Sequence, residues 1–424
     1  MAATLTVRGV LALLGRNADY RRLFFATLVS MLGDWFAFVA ISGFVTEATG
    51  SLGASAAVFA ASVLPMSLLS PVAGVLADRV DRRRLMICVD LLRVVPALGM
   101  LAALTWRLPA LALGCVALLA ALSAFFDPVS EASVPNVVDP EDLPLAQAAL
   151  GSVWGSMLFV GAALGGLATL AFGREVSLLL NASTFLVSAG LLWGIRRPFQ
   201  RADPHAASSE SPWRQLGEVW RTTRDSPPTR ALLTTKVGVG LGNGIVGLLP
   251  AYAARAFATG DEGVGVLLAA RGLGAMLGPL LGQRWVGGDE RRLLLVCGGS
   301  MVTYGLAYLL LPWAPSLPVA TLCVLLAHLG GGAQWVLSTY GLQLCTPDRL
   351  RGRVMGLDSC LATLCAGASA LAASAAAEAL GLHGASWAMA GVSLLYGLGW
   401  LWRTRGLWRG RADVLTASRP PEVG

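Results

Sequence analysis

Gly74-Val75-Leu76-Ala77-Asp78-Arg79-Val80-Asp81-Arg82-Arg83-Arg84-Leu85 sets six charges between two apolar runs, 58–77 before it and 85–104 after. Each flank is about 20 residues long, enough to cross the hydrocarbon core of a bilayer as a helix. Two spans joined by so short a basic turn form a hairpin. The positive-inside rule places that turn on the cytoplasmic side.

Composition agrees with a membrane chain. The 424 residues are 55% hydrophobic and 13% charged, with a mean hydropathy of +0.65, whereas soluble domains carry about 25% charged residues. The net charge of +7 does not point to nucleic acid, because the arginines cluster between apolar runs and no basic groove interleaved with aromatics is present. Cys360 and Cys365 are five apart, a spacing that suits neither a zinc knuckle nor a redox CxxC. All seven cysteines read as small apolar packing residues. No metal or cofactor is expected. Residues 1–22 lack a small-residue cleavage site, so no cleaved signal is expected.

Runs of about 20 apolar residues predict twelve spans, near 22–46, 56–77, 85–104, 109–127, 150–171, 176–195, 231–254, 264–283, 293–312, 317–340, 354–376 and 385–402. An even number puts both termini on one side. The loops on the side of the opening turn hold most of the arginines, and the alternate loops hold only Arg107, Arg174 and Arg255. Both termini are therefore expected in the cytoplasm. One loop on that side, 127–142, reads as acidic, with Glu131, Asp139 and Glu141; acidic residues count little in the rule. The longest polar stretch, 196–230, separates an N-terminal half (1–195) from a C-terminal half (231–424) and reads as a cytoplasmic linker. Within it Trp213, Leu216 and Trp220 are spaced as on one face of a surface helix.

The halves resemble each other. A shift of about 208 aligns Pro71-Val72-Ala73-Gly74 with Pro279-Leu280-Leu281-Gly282, and Arg83-Arg84-Leu85 with Arg291-Arg292-Leu293. It also brings Leu32-Gly33-Asp34 to Leu241-Gly242-Asn243, and Pro140-Glu141-Asp142-Leu143 to Pro347-Asp348-Arg349-Leu350. A duplicated six-span unit places a binding cavity between its copies near the bilayer midplane.

The stretch 74–84 resembles the signature loop of the major facilitator superfamily, G-x-L-A-D-R-x-G-R-R/K. Residues 346–354 (Thr346-Pro347-Asp348-Arg349-Leu350-Arg351-Gly352-Arg353-Val354) and 143–148 (Leu143-Pro144-Leu145-Ala146-Gln147-Ala148) are also similar to that superfamily, most of all to its drug- and siderophore-exporting branch. The resemblance covers essentially the whole chain and implies an all-α integral membrane fold of twelve helices in two six-helix repeats. Asp81 departs from the Gly found in many members. Gly161-Ala162-Ala163-Leu164-Gly165-Gly166 lacks the Gly-Pro pair of many drug/proton antiporters, although a similar run recurs around Gly274, Gly278 and Pro279. The resemblance further implies a conformational latch in which Asp78, with Gly74, Arg79, Arg83 and Arg84, faces the start of span 11 and its Arg351 and Arg353. A carboxylate near a helix N-terminus is favourable on general grounds as well.

Charges inside spans are the remaining signal. Asp34 sits midway along span 1, where an ionised Asp costs about 2.5–3.5 kcal/mol, so it must face a cavity, find a partner or take up a proton. Asn243 is its repeat partner in span 7. Arg93 and Arg271 are each able to serve as its counter-ion, in which case Asp34 stays ionised and carries protons poorly; the sequence leaves this open. His328, Gly331 and Trp335 share one face of span 10, which the resemblance counts among the cavity-lining spans. Lys236, the sole lysine, reads as structural, snorkelling from the end of span 7. Glu378 and His383 read as solvated. Gly161, Gly165, Gly274, Gly278 and Pro279 read as close-packing positions of the interface. Gly242-Asn243-Gly244-Ile245-Val246-Gly247 matches GxGxxG but lies inside an apolar span, so it is not a nucleotide loop. No Walker A loop and no nucleophile–His–acid grouping is present, which excludes ATP-driven pumping and argues against an enzyme.

The expected function is secondary transport by alternating access: proton-coupled export of a small amphipathic compound across the cell membrane. The expected partners are that substrate, protons and the lipid bilayer, with no nucleic acid, and a monomer is expected. The alternatives are an importer or lipid flippase of the same fold, or a non-transporting membrane sensor or accessory protein.

Overall fold

A computed structural model describes residues 7–199, 223–224, 226–346, 348–410 and 414–415; Trp213, Leu216 and Trp220 lie outside them. In lipid every backbone N–H and C=O must bond within its own segment, so long apolar runs fold as helices. In chain order these are α1 (Val7–Arg16), α2 (Ala18–Thr49), α3 (Ala54–Arg79), α4 (Arg82–Thr105), α5 (Pro109–Val137) and α6 (Leu143–Trp193). There follow α7 (Pro227–Gly242), α8 (Gly244–Ala251), α9 (Gly260–Val286), α10 (Glu290–Leu310), α11 (Leu317–Cys345), α12 (Asp348–Arg403) and α13 (Arg405–Trp408). Among the described residues nine helical segments are long and apolar enough to cross a membrane, and Ala54–Ser70 of α3 is apolar but shorter. Leu68, Val95 and Leu395 stay 63%, 64% and 71% exposed, as a lipid-facing surface requires.

Local chemistry sets where these helices begin and break. Asn17, Asp81, Ser226 and Asp289 are N-caps whose side chains accept the backbone N–H of Tyr20, Arg84, Thr229 and Arg291. Asp81 therefore departs from the signature glycine for a local reason: it starts α4, and Asp289 does the same for α10 after 208 further residues. The same spacing relates two breaks. Gly173 (φ 84°, ψ 168°) interrupts α6, and Gly381 (φ 75°, ψ 174°) interrupts α12. It also relates Gly50 (φ 62°) to Ala258 (φ 54°). The acidic segment read as a loop over 127–142 is mostly helix instead. α5 runs through Pro128 and Pro135 to Val137, so Asp127 and Glu131 are helical residues and only 138–142 is loop.

The chain divides into two compact units that follow contacts rather than chain order. Unit 1 comprises Met1–Gly50, Ala61–Ala207 and Ala258–Ala269. Its main seam runs between α2 and both arms of α6. A Cβ added at Gly161 would lie 2.5 Å from the Trp35 ring, one at Gly165 would lie 2.9 Å from the Trp35 carbonyl oxygen, and one at Gly33 would lie 2.0 Å from Thr184 Oγ1. Leu13 and Leu14 dock α1 onto a core of Tyr20, Leu23, Phe126 and Leu192. Asp19 accepts the backbone N–H groups of Arg196 and Arg197 at 3.1 and 3.0 Å, tying the start of α2 to the end of α6. Just past the Gly173 break, Arg174 grips Asp261 with two nitrogens at 2.7 and 3.1 Å and Glu47 with a third at 2.7 Å.

Unit 2 comprises Ser51–Ala60, Ser208–Phe257 and Ala270–Gly424. Here α9 and α11 approach through glycine: Cβ atoms at Gly274 and Gly278 would lie 2.5 and 2.0 Å from the carbonyl oxygens of Leu325 and Leu329. The first turns of α3 pack in this unit as well. Glu378, solvent-exposed as the sequence indicates, accepts bonds from the Ser51 hydroxyl and from the Gly53 N–H at 3.0 Å. That carboxylate sits at the N-terminal end of α3, where orphan N–H groups favour a negative charge.

Candidate functional site

Each unit holds a buried ion pair among the described residues. In unit 1 the centre is Arg93 of α4, with a side chain 1% exposed. Its Nη1 donates to Asp90 Oδ1 at 3.3 Å, one turn back on the same helix, and to Ser30 Oγ of α2 at 3.1 Å. The guanidinium also lies over Phe126 and Phe185, 4.6 and 5.5 Å from the ring centroids. Asp34 follows Ser30 by one turn of α2, so both point to the same face. Among the described residues Asp34 Oδ1 is buried without a hydrogen-bond partner, and the Asn181 side chain of α6 faces the same carboxyl. Asp127 of α5 lies in the field of the same arginine. Asp90 thus contacts the guanidinium directly while Asp34 and Asp127 lie in its field, so one positive charge faces three carboxyl groups.

Arg93 is in direct contact with Asp90, and Asp34 lies in the field of the same arginine. Asp90 and Asp127 escaped the sequence reading for different reasons. Asp90 was legible, since it lies three residues before Arg93 and shares its helix face. Asp127 is the last residue of the predicted span 109–127 and so reads as the start of the polar loop.

In unit 2 the sole lysine is the centre. Lys236 of α7 donates to Asp358 Oδ2 of α12 and to Thr339 Oγ1 of α11, the latter at 2.7 Å. Its ammonium lies 4.6 Å from the centroid of Trp335. The two side chains of the ion pair are 2% and 1% exposed, so the expectation that Lys236 snorkels to the interface is incorrect: α7 starts upstream at Pro227, which carries the ammonium inside the unit. Asp358 was missed because its partner is 122 residues away.

A second group in unit 2 gathers around His328, which shares a 2.9 Å hydrogen bond with the Tyr308 hydroxyl. Tyr304 packs edge-on to both rings and donates to Asn243 Oδ1 at 3.2 Å. Asn243 occupies the junction of α7 and α8. Arg271 of α9 lies near both tyrosines and 5.8 Å from the Phe59 ring centroid, while its Nε has no hydrogen-bond partner among the described residues.

The residues of the expected latch are placed as follows. Gly74, Asp78 and Arg79 lie in α3 and Arg351 in α12, with side chains outside the described set. Arg83 donates to the carbonyls of Leu192 (3.1 Å) and Trp193 at the C-terminal end of α6, where cations are favoured. Arg84 gives its backbone N–H to Asp81 at 2.7 Å. Arg353 is half-buried in the first turns of α12, and Pro279 follows Gly278 within α9.

Long apolar helices with ionic clusters buried among them fit a membrane transporter, and the family match places it in the major facilitator superfamily. The chain belongs to the transmembrane secretion effector family of that superfamily, whose sequence model matches residues 10–416. It is 27% identical over 391 residues to the multidrug efflux pump Tap of Mycolicibacterium fortuitum, covering 89% of this chain and 93% of that one. It is 23% identical over 349 residues to the putative bacilysin exporter BacE of Bacillus subtilis, covering 82% and 86%. In fold it is similar to the crystal structure of a bacterial homologue of the human lysosomal transporter Spinster, with a TM-score of 0.68 and 15% identity over 96% of this chain and all of that one. The family and these relatives are transporters and not enzymes, and the chain is a multi-pass membrane protein.

Proposed function

We propose that this transporter exports a small amphipathic compound in exchange for protons, by alternating access between two six-helix repeats of twelve spans in all. The observation that carries the reading is the unit 1 cluster, where Asp34, Asp90 and Asp127 share one arginine. A proton, or a cationic substrate competing for the same place, supplies the missing charge, and that competition is the essence of antiport. Asp34 is the carrier, since Asp90 already holds Arg93 in a direct contact. Asn243, Arg271, His328 and Trp335 contribute from unit 2. The twelve-span count is supported by the nine long segments, by the apolar part of α3, and by the glycine breaks that give α6 and α12 two arms each. The recurring 208-residue spacing of caps and breaks supports the duplication. Both termini are cytoplasmic in the cell membrane, the chain acts as a monomer, and Asp78 with Arg351 and Arg353 latches the cytoplasmic side.

The relatives' names, a multidrug efflux pump and a putative bacilysin exporter, agree with outward transport of such compounds. Accumulation of a panel of dyes and drugs in expressing cells, with and without a protonophore, tests the proposal. Lower accumulation that the protonophore abolishes, and that Asp34→Asn removes, is the expected outcome. An Asp34→Asn protein with full pH-dependent export rules out the carrier assignment.

A further inference from the structure

We propose that Lys236 and Asp358 form a second proton-exchange site, in unit 2, with Asp358 as the group that takes up the proton. The inference rests on the proton-coupled reading above and adds a second site to it.

Three observations carry it. The first is the choice of base: of the 32 basic residues, this is the one lysine. Every other ion pair among the described residues uses arginine, including the equally buried Arg93–Asp90 pair. Arginine grips a carboxylate with a rigid, permanently charged fork, whereas lysine presents a compact charge on a flexible stem that can leave and return.

The second is the vacant oxygen. Asp358 Oδ2 meets Lys236, while Asp358 Oδ1 is buried with no hydrogen-bond partner among the described residues. An ionised carboxylate with one oxygen unmet is costly inside a protein, and protonating that oxygen removes the cost.

The third is a second seat for the ammonium. Thr339 Oγ1 at 2.7 Å and the face of Trp335 at 4.6 Å hold it from α11. Both remain when the attraction to Asp358 is switched off, since an aromatic face binds a desolvated cation with useful strength.

The step balances simply. One O–H bond of a hydronium ion breaks as the O–H bond at Asp358 Oδ1 forms, a water molecule leaves, and Lys236 remains an ammonium. The pair passes from net zero to +1 and the ionic tie between α7 and α12 is lost. Release of the same proton restores it. The titratable neighbours are few: α12 presents Asp358 and α10 presents the Cys297 thiol. From α11 come Trp335 and Thr339, and α8 carries no ionisable side chain. The tie sits six residues before Asn243, where α7 gives way to α8, so its loss frees the arm next to that junction.

A pair kept only for structure makes a different prediction, because replacing both buried charges with well-packed apolar residues is often neutral or stabilising. Infrared difference spectra of the reconstituted full chain, acid minus alkaline, separate the two. The proton-exchange site predicts that Asp358→Asn removes one component of the protonated-carboxyl band. Lys236→Arg removes the same component with Asp358 still in place, because the guanidinium holds it ionised. Where Asp358→Asn does not fold, the charge-free Lys236→Met/Asp358→Leu protein takes its place. Wild-type and Asp358-lacking spectra that superimpose overturn the proposal. The measurement needs no transported substrate: a null spectrum leaves the Asp34 reading intact, and a lack of export in cells leaves the spectrum interpretable.

Discussion

Gly278→Ala is a stringent test of the packing between α9 and α11. The added Cβ would sit 2.0 Å from the Leu329 carbonyl oxygen and 2.9 Å from the Ala333 nitrogen, where ordinary contact begins at 3.4 Å. Both obstacles are backbone, so no side chain can swing away, and the helices must part by about 1.4 Å (3.4 less 2.0 Å) along the seam. Transmembrane helices have no hydrophobic drive to close such a gap; close van der Waals approach at small residues is what joins them. Overpacking of this kind costs about 1–3 kcal/mol, and a backbone obstacle belongs at the top of that range. Alanine's better helix propensity returns about 1 kcal/mol, leaving a net loss of about 2 kcal/mol. Gly299→Ala in α10 is the matched control, since nothing lies within 4 Å of its Cβ position; it should gain up to about 1 kcal/mol. Denaturant unfolding in detergent micelles, followed by circular dichroism, measures both. Equal stability of the two variants, or a gain in both, would refute the close approach of α9 to α11.

Three other outcomes follow from the same geometry. Asp81→Ala and Asp289→Ala each remove an N-cap and should cost about 0.5–2 kcal/mol in the same unfolding assay, with the loss at Asp289 no smaller, because it also pairs with the Arg291 side chain. Ala258→Gly should stabilise by about 1 kcal/mol, because Ala258 holds φ at 54° where an L side chain is strained by about 1–2 kcal/mol; a loss would contradict the strain. Arg93→Met alone leaves Asp90 buried and unpaired at a cost of about 3–5 kcal/mol. Adding Asp90→Leu should recover part of it, since Asp34 and Asp127 still lack the arginine, and a double-mutant cycle on thermal unfolding reads this directly.

Much of the architecture was legible from the chain because bilayer thickness imposes a length that sequence displays openly. The gaps at 171–176 and 376–385 fall where Gly173 and Gly381 break two long helices, and the 208-residue shift read from short motifs recurs in backbone angles. The helix at Asp127 runs on past the predicted span end, since Pro128 lacks only one N–H and a membrane helix tolerates that where neighbours satisfy the freed carbonyl. The candidate site was legible in half. Asp34 and Arg93 stand out as charges in apolar runs. The contacts between Lys236 and Asp358, or between Arg93 and Ser30, depend on which helix faces turn together, and no local pattern carries that information. Lys236 illustrates the difficulty: its position near a span end admits snorkelling and burial equally, and only the upstream start of α7 decides between them.

Proton coupling through the unit 1 cluster is tested most directly in vesicles of the purified chain with no ATP and an imposed pH gradient. Substrate drawn from the cell panel should accumulate on the acidic side against its own gradient, dissipate when the pH gradient is collapsed, and fail to accumulate with Asp34→Asn although passive exchange continues. Accumulation that persists without the pH gradient, or that Asp34→Asn leaves untouched, would contradict the account.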